Sequence, residues 1–226
     1  MFAVRSLAPL LACLILGACS SALQWTPETH VVRSGETVYS IAFQYGIDQR
    51  DLIRWNRLDG NGLIFAGQRL RLTAPASSAS SSEPRQSASA PDRSASSAQA
   101  TARPVTWRWP TEGKVIAGFG ATAKTQSGLH IAGKRNQSIQ AAASGEVVYA
   151  GSGLPGYGQL LIIKHSSVYL SAYGHNQRLL VAEGDRVQGG QVIARMGEGP
   201  GQRPILHFEI RRQGKPVNPL GYLQKQ

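Results

Sequence analysis

Five histidines are the side chains best suited to chemistry in this chain, and three lie in short, largely apolar contexts: Gly-Leu-His130-Ile-Ala, Ala-Tyr-Gly-His175-Asn and Ile-Leu-His207-Phe-Glu. Imidazoles hold divalent cations or move protons near neutral pH. A catalytic zinc centre needs about three protein ligands and one open position, where a bound water or substrate oxygen is polarised. The two cysteines, Cys13 and Cys19, both fall within the first twenty residues. No thiol is left further along for a disulfide, a thiolate metal site or a nucleophile, so any metal would be held by His and carboxylates. His207 alternates with Phe208, as on a strand facing a cleft. His165 reads as a surface or strand-end residue, and His30 carries no ligand spacing.

The surrounding residues argue against a working metal centre. Residues 126–132 read Gln-Ser-Gly-Leu-His-Ile-Ala, 170–176 read Leu-Ser-Ala-Tyr-Gly-His-Asn, and 205–211 read Ile-Leu-His-Phe-Glu-Ile-Arg. This pattern resembles the LytM (M23) family of peptidoglycan endopeptidases, which carry His-x-Gly-x-Asp, then Tyr-Ala-His, then His-Leu-His. The resemblance implies ligand positions at Gln126, His130 and His207, and assisting positions at His175 and Ile205. Gln126 offers only a neutral amide, His130 removes the negative charge of the family's Asp, and Ile205 has no polar atom. A degenerate site follows, with no catalytic residue and no cofactor expected. Weak, non-catalytic zinc binding through His130 and His207, with His175, stays open. Tyr157 and Arg203, from flanking loops, are expected to complete the cleft.

The start of the chain bears on its compartment. Arg5 precedes an apolar run from Leu7 to Leu16, followed by Gly17-Ala18-Cys19. A basic start, about ten apolar residues and a small-residue cleavage site describe a secretory signal, too short for a permanent span. Leu-Gly-Ala-Cys resembles the bacterial lipobox, which implies a signal over 1–18, a tether over 19–29 and acylation of Cys19. Several acyl chains give stable anchoring where one does not. Ser20 at the next position fits an outer-membrane lipoprotein facing the periplasm. The chain carries a formal charge of +11, or +10 once Arg5 leaves with the signal. Such a surface suits an anionic partner such as peptidoglycan or an acidic protein face, and export argues against nucleic acid.

Two modules flank a stretch of Ala, Ser and Pro over residues 74–104. That stretch has almost no large apolar side chain and cannot offset its ordering entropy, so it reads as a disordered linker. As a coil it would span roughly 30 Å, and fully stretched about 100 Å. In the first module, residues 30–73, Val31-Val32 starts a strand, and Val38, Ile41, Ala42 and Tyr45 recur at helical spacing. Gly46 reads as a left-handed cap, Asp48 as the N-cap of a helix reaching Asn56, and residues 69–72 as a closing strand. This βααβ order, with Val-x-Ser-Gly-Glu-Thr-Val-Tyr-Ser-Ile-Ala, closely resembles the LysM domain. The resemblance implies a shallow groove for N-acetylglucosamine-containing glycans, formed here by Ser34, Gly35, Glu36 and Thr37 on one loop and Leu63, Ile64 and Gly67 on the other.

The second module, residues 105–224, shows short β-type runs separated by Gly, including 145–150, 160–165, 168–173 and 191–196. Regular short strands predict an all-β antiparallel domain. The assembly of lipobox, one LysM module, linker and altered LytM module resembles the NlpD-type lipoproteins. That resemblance implies a protein that binds peptidoglycan glycan strands and activates a periplasmic N-acetylmuramoyl-L-alanine amidase during septal splitting. It also implies that the cleft completed by Tyr157 and Arg203 is a protein-docking surface. Two alternatives remain: a divergent zinc endopeptidase acting on cross-links, and an inert tether between wall and membrane.

Overall fold

The computed structural model describes residues 27–60, 62–75, 105–121 and 127–224. The signal segment with Cys19, the linker from residue 76 and Gln126 lie outside them. The first module is built from β1 (Thr29–Val31), α1 (Val38–Tyr45), α2 (Gln49–Asn56) and β2 (Arg69–Arg71), with β1 and β2 antiparallel. The first strand therefore begins and ends slightly earlier than the Val31-Val32 pair suggests.

Local chemistry explains each boundary. The Thr37 hydroxyl accepts from Ser40 N at 3.1 Å while Ser40 Oγ accepts from Thr37 N at 2.9 Å, a reciprocal cap at the start of α1. Gly46 (φ 63°) ends the helix in the left-handed region that costs glycine nothing. The Asp48 carboxylate then accepts Arg50 N at 2.9 Å and opens α2. Val32, Val38, Ile41, Ala42, Leu52, Leu70 and Leu72 form the buried interior of this small unit.

The second module contains β3 (Val115–Ala117), β4 (Leu129–Ala132), β5 (Ser138–Gln140), β6 (Gly145–Gly151) and β7 (Gln159–Lys164). It continues with β8 (Tyr169–Leu179), β9 (Arg186–Val187), β10 (Val192–Met196), β11 (Ile205–Arg212) and β12 (Lys215–Val217). All ten strands join one antiparallel network in the order β3-β4-β11-β8-β7-β6-β9, with β10 linking β5 to β8 and β12 beside β11. One face carries the main core, including Leu161, Ile163, Tyr173, Phe208 and Ile210.

Beside that core, half-buried His165 sits directly after β7, the strand-end placement of its sequence reading. Its Nδ1 lies 2.8 Å from Ser144 O and its Nε2 2.7 Å from Ser171 Oγ, and its ring meets Trp107 edge-on at 4.9 Å. Burial pushes its pKa down to about 4. It braces the end of β7 against Ser144 and Ser171.

The opposite sheet face is also covered, by the first module. Leu160 and Ile162 of β7, Val148 and Tyr149 of β6 and Ala172 of β8 enclose Phe43 from α1, which is only 2% exposed. Lys164 Nζ donates to Tyr39 OH at 2.9 Å, and Arg211 donates to the Phe43 carbonyl. Gly214 (φ 74°), beyond the end of β11, sits so close to the turn after α1 that a Cβ would lie 2.2 Å from Ile47 O. The run Leu160-Leu161-Ile162-Ile163 is thus apolar without alternation because both faces of β7 are buried.

Candidate functional site

The cleft forms where β8 changes partner. Gly174 pairs with His207 on β11, and Asn176 pairs with Met196 on β10. His175 falls between them at φ 62°, an uncommon conformation for a residue with a Cβ. Backbone bonds fix it there: its N–H donates to Tyr157 O at 2.7 Å, and its carbonyl accepts Gly197 N at 2.9 Å. Irregular register of this kind re-aims a side chain, here toward the cleft. His130 arrives on β4 directly opposite His207 on β11.

The three imidazoles converge. Ring centroids are 5.2 Å apart for His130 and His207, and 6.1 Å for His175 with each of the others. Together with Ser127, Gly156, Tyr157 and Pro200 they line a cavity of about 340 Å³. Burial, with the neighbouring His207 and His130, holds the pKa of His175 down at about 4, so it is neutral at physiological pH. Ile205, expected in the cleft, is buried behind it and does not line the cavity, packed so closely on Gly199 that a Cβ there would lie 2.5 Å from Ile205 Cδ1 and 2.9 Å from His175 Cδ2. Arg203 stands exposed on the turn before β11, and its side chain does not line this cavity.

Sequence reasoning missed the residue that organises the cleft. Glu209 is fully buried, and its Oε1 accepts from Tyr157 OH and from His207 Nε2, each at 2.8 Å. Its Oε2 accepts from Arg211 Nε at 2.7 Å. Burial alone would raise the carboxyl, but the Arg211 guanidinium and the His207 bond outweigh it and hold the pKa at about 2. An ionised carboxylate only accepts, so His207 Nε2 must carry the hydrogen, leaving Nδ1 as the only nitrogen with a free lone pair. Burial first, then the Glu209 charge, pushes the Tyr157 phenol up to about 12. The alternation His207, Glu209, Arg211 along one strand face was the available signal, since i, i+2 residues share a side.

Because the folded Glu209 pKa lies below its ordinary value of about 4.3, its ionisation stabilises the fold fully above that pH. The contribution is lost as pH falls from there through about 2. Urea denaturation between about pH 5 and pH 2 should show stability dropping steeply, and Glu209→Gln should flatten that dependence.

A zinc ion is the group this arrangement invites, and the described donors do not fit it. No cluster of three or more His, Cys, Asp or Glu among the described residues has metal-holding geometry. The Glu209 bond takes only Nε2 of His207 and leaves its Nδ1 available, and the position that Gln126 occupies lies outside the described residues.

The loops expected to bind glycan lie on the first module. Glu36, Thr37, Leu63 and Ile64 line one crevice, whereas Ser34, Gly35 and Gly67 lie outside its lining. Glu36 is also structural: its carboxylate meets His30 Nε2 at 2.7 Å and accepts Arg33 N at 2.7 Å, while His30 Nδ1 lies 3.0 Å from Tyr45 OH. Among the described residues no helix is long and apolar enough to cross a membrane.

Comparison with known proteins matches both modules. Residues 30–73 match the LysM domain model and residues 111–219 match Peptidase family M23. The chain is 39% identical over 245 aligned positions to the lipoprotein NlpD/LppB homolog of Pseudomonas aeruginosa, covering 93% of this chain and 82% of that one. It is 55% identical over 127 positions to the murein hydrolase activator NlpD of Escherichia coli K12, covering 56% of this chain and 34% of the relative. It is 50% identical over 121 positions to the outer membrane antigenic lipoprotein B of Haemophilus influenzae, covering 54% and 30% respectively. The chain thus spans most of the first relative but only about a third of the other two. An identity of 39% that runs through both modules and nearly the whole chain establishes that it belongs to the NlpD/LppB lipoprotein family.

Proposed function

We propose that the chain binds peptidoglycan glycan through its LysM module and activates a periplasmic N-acetylmuramoyl-L-alanine amidase through the M23-type cleft, without cutting peptide bonds itself. The observation that carries this reading is the cleft's donor set: His130, His175 and His207 converge, yet among the described residues no group of three or more His, Cys, Asp or Glu has metal-holding geometry. Ile205, where the family has a histidine, is buried and brings no polar atom to the cleft. What remains is a rigid, preformed concavity of about 340 Å³ with three histidines and Tyr157 at its surface, suited to gripping a partner segment.

Activation then works as a population shift: the activator must bind the open form of the amidase more tightly than the closed form. A relative named as a murein hydrolase activator supports the assignment. Attachment to the outer membrane through acylated Cys19, facing the periplasm, would raise the effective concentration of the cleft near the wall. A charge of +10, once Arg5 leaves with the signal, favours an acidic face on the partner.

Dye release from labelled sacculi tests the proposal, using residues 20–226 alone and with a candidate amidase. Release above the amidase's own level, and none by the protein alone, is the expected result. Release by the protein alone that chelation abolishes would identify an endopeptidase and overturn the reading.

A further inference from the structure

The docked arrangement places the LysM groove against the second module, and the two enclose a crevice of about 340 Å³. One wall is Glu36, Thr37, Leu63 and Ile64 of the first module. The other is Glu146 and Val148 of β6 with Glu183 and Gly184 from the turn between β8 and β9. Its volume falls within the range of small-ligand clefts.

Both walls are held in place before any ligand arrives. The Thr37 side is fixed by the reciprocal cap on α1. The Glu183 turn is stitched to β6, where Gly184 N donates to Val147 O at 2.8 Å and Val147 N donates to Asp185 O at 2.8 Å. Ala182 N donates to the Asp185 carboxylate at 2.8 Å. Thr37 Oγ1 reaches Val148 O across the junction at 3.5 Å. Preorganised walls cost little ordering on binding.

The lining chemistry selects a ligand class. Leu63, 59% exposed, and Ile64 offer apolar surface to a flat ring face. Glu36, Glu146 and Glu183 offer acceptors, and among the described residues no Lys or Arg lines the crevice. A neutral ligand rich in hydroxyl and amide donors satisfies these walls, whereas an anion does not.

We propose that the glycan site of this protein is composite, with Glu146, Val148, Glu183 and Gly184 of the M23-type module completing a site for an N-acetylglucosamine-containing glycan begun by the LysM loops. The proposal rests on the LysM module binding glycan at all, and adds the second wall. It makes glycan binding and module docking mutually reinforcing, since a ligand touching both walls favours the docked arrangement.

Calorimetric titration of the full chain in detergent with the N-acetylglucosamine tetramer tests it. The double variant Glu146→Gln/Glu183→Gln should bind about tenfold or more weakly, the scale of losing charge-assisted hydrogen bonds. Both side chains are on exposed residues, so the fold should survive, which far-ultraviolet circular dichroism checks. Leu63→Ala, on the LysM wall, should also weaken binding. The Val148 methyl resonances should shift on adding the tetramer to the unaltered chain. Unaltered affinity in the double variant, with Leu63→Ala weakened and Val148 unmoved, would overturn the composite site and leave the LysM reading standing. No binding by the unaltered chain would overturn both.

Discussion

Replacing Arg211 by methionine should destabilise the protein by about 3–5 kcal/mol, the scale for removing one partner of a buried ion pair. Arg211 is 5% exposed, its Nε bonds Glu209, its Nη1 donates to the Phe43 carbonyl, and its guanidinium carbon lies 3.3 Å from the Phe43 ring centroid. Methionine keeps much of the volume and loses the charge. Glu209 would then sit fully buried with its negative charge uncompensated and would take up a proton. Its folded pKa would rise above about 4.3, so its penalty is absent below that pH and grows as pH rises. Urea denaturation should therefore show the largest deficit near neutrality and a smaller one near pH 4. Adding Glu209→Gln should recover a substantial part of the loss at neutral pH. A deficit below about 1 kcal/mol, equal at both pH values, would show that the pair does not carry the load assigned to it.

Phe43→Ala should remove about 3–5 kcal/mol from module docking rather than from either module's own core. Phe43 is enclosed by Val148, Tyr149, Leu154, Leu160, Ile162 and Ala172, all from the partner module, and its ring meets Tyr157 at 5.5 Å. Interfaces within a chain are commonly small, so a cavity of that size at the centre should separate the modules. Calorimetry should resolve two unfolding transitions for the variant against one for the unaltered chain. Gly214→Ala, which forces a Cβ onto Ile47 O from the other side, should act the same way. A single transition within about 2 °C of the unaltered protein would contradict the docked arrangement.

Most of the architecture was legible from local signals. Helical spacing in Val38, Ile41, Ala42 and Tyr45, the Gly46 stop and the Asp48 cap all reappear where the pattern put them. Short β runs punctuated by glycine mark the strands, because turn chemistry and two-residue alternation are local properties. Docking was not legible in the same way. Phe43 sits beside the apolar face of α1 and gains its burial from strands more than a hundred positions later. The one local sign was the unbroken Leu160-Leu161-Ile162-Ile163 run, which asks for cover on both faces.

The cleft was legible in part. His130, His175 and His207 meet as the family motifs imply, although they are distant in sequence. Arg203 lies nearby in sequence yet stands away from the cavity lining, because its turn directs it outward. Glu209 was overlooked because a glutamate within an apolar strand resembles a solvent-facing residue until its partners are known. Its partners come from a loop residue, Tyr157, and from its own strand neighbours His207 and Arg211. Of these, Arg211 connects the cleft to the docked helix by donating to the Phe43 carbonyl, and the Tyr157 ring meets the Phe43 ring.

The measurement that tests the central claim most directly is a long-range proton–nitrogen spectrum of the histidine rings, recorded on the protein alone, with zinc and then with the amidase. If the cleft is a docking surface organised by Glu209, His207 Nε2 stays protonated and the ring signals hold their positions when zinc is added. The signals of His130, His175 and His207 then shift together when the amidase is added. Movement of the ring signals on adding zinc, that of His207 Nδ1 above all, with no response to the amidase, would contradict the account and return the cleft to metal chemistry.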